Sequence, residues 1–260
     1  MTSRIRKVSA DNKSKQNSAA RLLAIFSSLQ HGRGDRPGTD VWGDVLGIGD
    51  DAVPSKERRV LSQLGAIVHE IDLTKEGLAN LQVPRDLYGP SLDALAEAAS
   101  PTAIRATWRN PIQQDYLLCL GWAQHTLPCE GEVIEAAAIE GLRATLQELK
   151  DQVASAAFPP ALREYLDKSI RTIEEALDDY AISGSLPLVS AIDGLYAEAR
   201  GRAPALGGAF QSGTESQKST LRRFGDFAKS AAELVKNVET LGRFTILAWH
   251  QVPQALEWIK

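Results

Sequence analysis

Residues that carry chemistry are scarce in this sequence. Of its 260 residues two are cysteine, Cys119 and Cys129, and four are histidine. Two cysteines make no disulfide framework, which points to a reducing compartment. Between His125 and His250 there is no histidine, and this removes the Glu-x-x-His pairs that a di-metal helical bundle requires. The longest apolar stretches, such as Phe244 to Trp249, fall far short of the roughly 20 residues that span a bilayer. Because no apolar run precedes Leu22, no secretory signal is expected and the expected location is cytoplasmic. Period-two alternation is missing, which argues against a sizeable sheet, and no repeat of fixed period is visible.

Known chemical motifs are met only in part. Gly208 to Gly213 has the frame of a phosphate loop, but Thr214-Glu215 stands where Lys-Ser/Thr must follow. Gly47-Ile48-Gly49-Asp50-Asp51-Ala52 mimics a dinucleotide turn, yet it sets two carboxylates against the pyrophosphate and lacks a βαβ context. His69-Glu70 has no second histidine for a zinc helix. Two sets remain as candidates for chemistry. Cys119, His125 and Cys129 could bind zinc or build a thiol nucleophile, although a fourth ligand is missing. Asp40, Asp44, Asp50 and Asp51 are oxygen ligands of the kind Mg2+ or Ca2+ prefers, in a spacing that fits no EF-hand. For both sets the plainer readings are a buried inert thiol and a solvated acidic loop. No cofactor is expected.

What the sequence does have is helical pattern and segregated charge. Residues 1–36 carry eight Lys/Arg against Asp11 and Asp35, and residues 200–260 carry nine Lys/Arg against five Asp/Glu. The net charge is −4, so the middle of the chain is strongly acidic. Such poles either meet an outside partner or attract each other within the fold or between subunits. Residues 1–13 are polar and basic and are expected to form a mobile tail. From residue 14 to 130 short helical stripes alternate with Gly and Pro. Trp42 sits in a short helical turn that plugs an aromatic into the core. Val60 to Ile71 forms one helix, Asp72 and Thr74 restart another, Pro101 ends the helix after Ser91, and Pro111 starts the helix that ends at Pro128.

A long helix pair follows, over 133–157 and 161–181. Ile134, Ala138, Leu142, Leu146, Leu149 and Val153 recur at helical spacing, and so do Leu162, Leu166, Ile170, Ile173, Leu177 and Tyr180. The short Phe158-Pro159-Pro160 connection makes these helices antiparallel neighbours, and Gly184 caps the second. A third helix with Leu188, Ile192 and Leu195 packs across them, in a region taken as 131–200. The Gly-rich stretch 201–214 reads as a linker or loop. Residues 215–260 read as a basic amphipathic C-terminal region. The expected fold is therefore all-α: an irregular helical N-terminal half on a central antiparallel hairpin, with a basic C-terminal helix.

The run Leu142-x3-Leu146-x2-Leu149, Phe158-Pro159-Pro160-x-Leu162, Leu166, Ile173, Leu177-x2-Tyr180 and Gly184 resembles a segment of uncharacterised all-helical bacterial proteins. Val41-Trp42-x2-Val45-Leu46-Gly47-Ile48 resembles a shorter motif upstream in the same group. These matches, over residues 41–48 and 142–184, imply a helical fold and no assigned activity. The setting they suggest is a bacterial defence, antiviral or toxin-type complex.

Function follows the surfaces. Leu221 to Ile259 combines basic residues with Phe224, Phe227, Phe244, Trp249 and Trp258. Arg222, Arg223, Phe224, Phe227 and Lys229, together with Asp178 and Asp179, are the expected contacts to a protein partner. The alternatives for the C-terminal segment are its own core and a membrane interface, which would make the chain a peripheral membrane effector acting through 221–259. A homo-oligomer is a further option. Nucleic acid is disfavoured, because the aromatics lie on an apolar helix face where they cannot stack on bases. The leading expectation is a non-enzymatic protein–protein interaction component, ahead of an enzyme using Cys119, His125 and Cys129.

Overall fold

A computed structural model describes residues 17–32, 34–49, 53–130 and 134–236. It is all-α, with no strand among the described residues; a single antiparallel bridge joins Pro37 and Thr107. The chain divides into two compact units, Met1–Glu130 with Ala181–Gly184, and Gly131–Tyr180 with Ser185–Lys260.

Unit 1 contains α1 (Ser18–Gln30), α2 (Gly38–Leu46), α3 (Val53–Asn80), a 3-10 turn (Arg85–Leu87), α4 (Gly89–Ala98), α5 (Pro101–Arg105) and α6 (Gln114–Thr126). Asn17 caps α1, its side chain accepting from Ala20 N at 3.0 Å. The amide of the same side chain donates to the Gln124 and Leu127 carbonyls, which ties the start of α1 to the end of α6. Phe26, Trp42 and Trp108 stack edge to face at the centre, with centroids 6.0 and 6.3 Å apart. Trp42 is fully buried, as the sequence pattern around it predicts.

Helix α3 runs unbroken where a restart at Asp72 was expected. Thr74 does not cap a new helix: its hydroxyl turns back onto the Glu70 carbonyl at 2.9 Å and meets Ser18 Oγ at 2.8 Å. Two prolines also act differently from expectation. Pro101 opens α5 as its first residue, with Ser100 capping Ala103 N, and the helix after Pro111 begins only at Gln114.

A buried ionic node lies between α1 and α3. Arg21, 7% exposed, donates to Glu70 Oε2 at 2.5 Å and, through Nε, to the Ile182 carbonyl at 2.9 Å, and forms an ion pair with Glu130 Oε2 at 2.7 Å. Ile182 is itself part of this unit's core. Gly184 adopts a left-handed φ of 65°, and a Cβ there would stand 3.0 Å from the Arg21 guanidinium.

Unit 2 is built on α7 (Ala136–Ser155) and α8 (Pro160–Asp178), the expected antiparallel hairpin with somewhat shorter helices. Leu142, Leu146, Leu149 and Val153 of α7 and Leu162, Leu166, Ile170, Ile173 and Leu177 of α8 are buried, as their spacing predicts. Asp179, not Gly184, caps α8; the chain then makes one further turn, α9 (Tyr180–Ser183), which Gly184 follows. Helices α10 (Leu186–Gly201), α11 (Ala203–Ser212) and α12 (Glu215–Lys236) complete the unit.

The stretch expected to be a linker, 201–214, is largely helix α11. Pro204 lies in its first turn, Leu206 is buried in the unit's core, and the Arg222 guanidinium covers the Phe210 ring at 5.2 Å. Packing of these side chains outweighs the helix-breaking tendency of Gly207 and Gly208. Helix α12 packs on α7 and α10 within one core, so the hairpin and the C-terminal helix are not separate regions.

Candidate interaction surface

Helix α6 is apolar on two opposite sides. Leu117, Leu120 and Ala123 point into unit 1, against α1 and α4. At about 100° per residue, Asp115, Leu118, Cys119, Trp122 and His125 fall together on the other side. Leu118 is 61% exposed and Trp122 44% exposed. Helices that are apolar all round normally lie buried on both sides, so the outer side of α6 is an unmatched apolar face. Beside it lies an open depression of about 410 Å³, lined by Leu87, Ser91, Asp115, Cys119 and Trp122. Leu87, on the 3-10 turn, is 63% exposed and extends the apolar rim.

The thiol at the base of this depression is not activated. Burial pushes the Cys119 thiol up, and a hydrogen bond with Ser91 offsets only part of that effect. His125 stands six residues further along α6, about 9 Å along the axis at 1.5 Å per residue, and Cys129 is exposed beyond the helix end. The three do not converge. Among the described residues no group of three or more His, Cys, Asp and Glu is placed to hold a metal.

The acidic loop is likewise taken up internally. Asp40 pairs with Lys56 at 3.1 Å and Asp44 with Arg36 at 2.6 Å. Asp50 and Asp51 lie outside the described residues.

The expected partner contacts on α12 divide by face. Phe224 and Phe227 are 7% and 2% exposed and fill the core of unit 2, with Phe224 edge-on to Tyr165 at 6.2 Å. They are core residues, because their spacing puts them on the side facing α7 and α10, and they are lost as docking contacts. Arg222, Arg223 and Lys229 are exposed on the opposite side. Asp178 is bound by Arg143 at 2.5 Å across the hairpin, and Arg143 also donates to the Leu177 carbonyl. Burial, then Asp178 and Glu175, push the Asp179 carboxyl up. Asp178 therefore braces the hairpin. Among the described residues no helix is long and apolar enough to cross a membrane. Phe244, Trp249 and Trp258, on which a membrane contact depended, lie outside the described residues.

Leu118 stands in the Leu-rich run Leu117 to Leu120, which reads as core, and Trp122 reads as part of the same helix's apolar stripe. The usable signal was apolar character on both sides of one helix. The chain matches no family model, no curated protein and no solved structure.

Proposed function

We propose that this chain is a helical protein–protein interaction component that docks through the outer face of α6. The observation that carries this reading is the pair Leu118 and Trp122, large apolar side chains one turn apart on a helix whose inner face already fills a core. An exposed tryptophan beside a depression is the kind of anchor on which interface energy concentrates.

The test is native purification of the tagged full-length chain beside a Leu118→Glu/Trp122→Glu variant. The expected result is a stoichiometric protein retained by the wild type and lost from the variant, with unchanged melting temperature. Equal retention by both overturns the α6 face as the docking site.

A further inference from the structure

The turn that returns to unit 1 after the hairpin is small, and one guanidinium grips it together with the point where the chain left. Ala181–Gly184 places a single side chain, Ile182, in the core of unit 1, while Ala181 is exposed. The Ile182 carbonyl accepts from Arg21 Nε at 2.9 Å. Gly184 lets the chain pass where a Cβ would stand 3.0 Å from Arg21 Nη1. On the other side of the same guanidinium, Nη2 meets Glu70 Oε2 at 2.5 Å and Glu130 Oε2 at 2.7 Å. Glu130 is the residue at which the chain leaves unit 1, and its second oxygen accepts from Ser18 N at 2.9 Å. A guanidinium is a rigid planar fork, so the groups that hold its Nη2 set where its Nε points. The exit carboxylate and the return carbonyl are thereby joined through one plane, although they stand far apart in the sequence. Segments with few buried contacts open at lower free energy than the cores they join, and this turn has one buried apolar side chain.

We propose that Ala181–Gly184 is a releasable clip on unit 1, and that Arg21 makes its release depend on Glu130. With Glu130 engaged, the fork is held from two sides and its Nε stays on the Ile182 carbonyl. With Glu130 disengaged, Glu70 alone holds the fork, Nε leaves the carbonyl more often, and Ile182 comes out of the core. The clip is therefore a conformational device that reports at the return of the chain what happens at its exit.

Hydrogen exchange of the full-length chain, read by mass spectrometry at one fixed pH, tests this on residues 180–186. In the wild type these amides are expected to exchange about 10-fold faster than the buried stretches of α4 and α8. Glu130→Gln keeps the side chain's shape and touches none of residues 181–184. It should speed exchange there about 3-fold and leave α4 and α8 unchanged. Arg21→Gln should speed it about 10-fold, and adding Glu130→Gln to that variant should change nothing more. Because Arg21→Gln leaves Glu70 buried without its cation, circular dichroism accompanies each variant. If helicity falls, Arg21→Gln/Glu70→Gln serves as the background in its place. A turn that exchanges as slowly as α4 overturns the proposal, as does Glu130→Gln without a local effect or with equal acceleration throughout. An undiminished effect of Glu130→Gln in the absence of Arg21 also overturns it, since the coupling then bypasses the guanidinium.

Discussion

Gly38 and Gly141 are both glycines in helices, with opposite surroundings. A Cβ at Gly38 would stand 2.8 Å from the backbone of Ala103 and Ile104, whereas one at Gly141 meets nothing within 4 Å. Gly38→Ala is expected to cost about 1–3 kcal/mol because backbone must move, and Gly141→Ala to stabilise by about 0.5–1 kcal/mol. Urea unfolding of the two variants checks both signs. Glu70 offers a pH test. Burial raises its carboxyl above the ordinary 4.5, and Arg21, shared with Glu130, offsets only part of this. A folded value above the unfolded one gives a contribution that is full below 4.5 and lost as pH rises through the folded value. Wild-type stability should therefore fall relative to Glu70→Gln as pH rises from 4.5 toward neutral. Parallel curves would refute this account. Trp42 was legible as core from its neighbours alone. Arg21, Glu70 and Asn17 were not, since their partners lie 49 to 161 residues away and no local pattern encodes them.

Elements were legible where packing and pattern agree. The α7–α8 stripes recur at helical spacing, and the same residues are buried. Legibility failed at α11, where two glycines signalled a loop and Leu206 and Phe210 decided for a helix. It failed at α12 in a different way: periodicity located the apolar face, but periodicity does not say whether that face meets the chain's own core or another molecule. The two helices now make opposite predictions. Phe227→Ala should cost about 3–5 kcal/mol in chemical unfolding, as truncation of a buried ring does. Leu118→Ser on α6 should change stability by less than about 0.5 kcal/mol. A large loss from Leu118→Ser would mean that its face is already covered.

Each of the two units has its own hydrophobic core. Calorimetry is expected to show two transitions, with Phe227→Ala lowering one and leaving the other in place; a single transition that moves as a whole would show that the cores melt together. At this scale the sequence suggested three helical regions and a linker, because composition changes at 131 and 201 are visible and long-range contacts are not. The chain leaves unit 1 at Glu130 and contributes Ala181–Gly184 to it again after the hairpin, with Arg21 and Ile182 joined across 161 residues. That return sets an order of events during synthesis. A nascent chain can form α1 to α6 once Glu130 has left the ribosome, but the place of Ile182 stays open and Arg21 lacks its carbonyl until α9, beyond the whole hairpin, has also emerged. Translation stalled within the hairpin leaves an unfinished core for chaperones and proteases to find, so delivery of the last piece of unit 1 is conditional on making the whole hairpin.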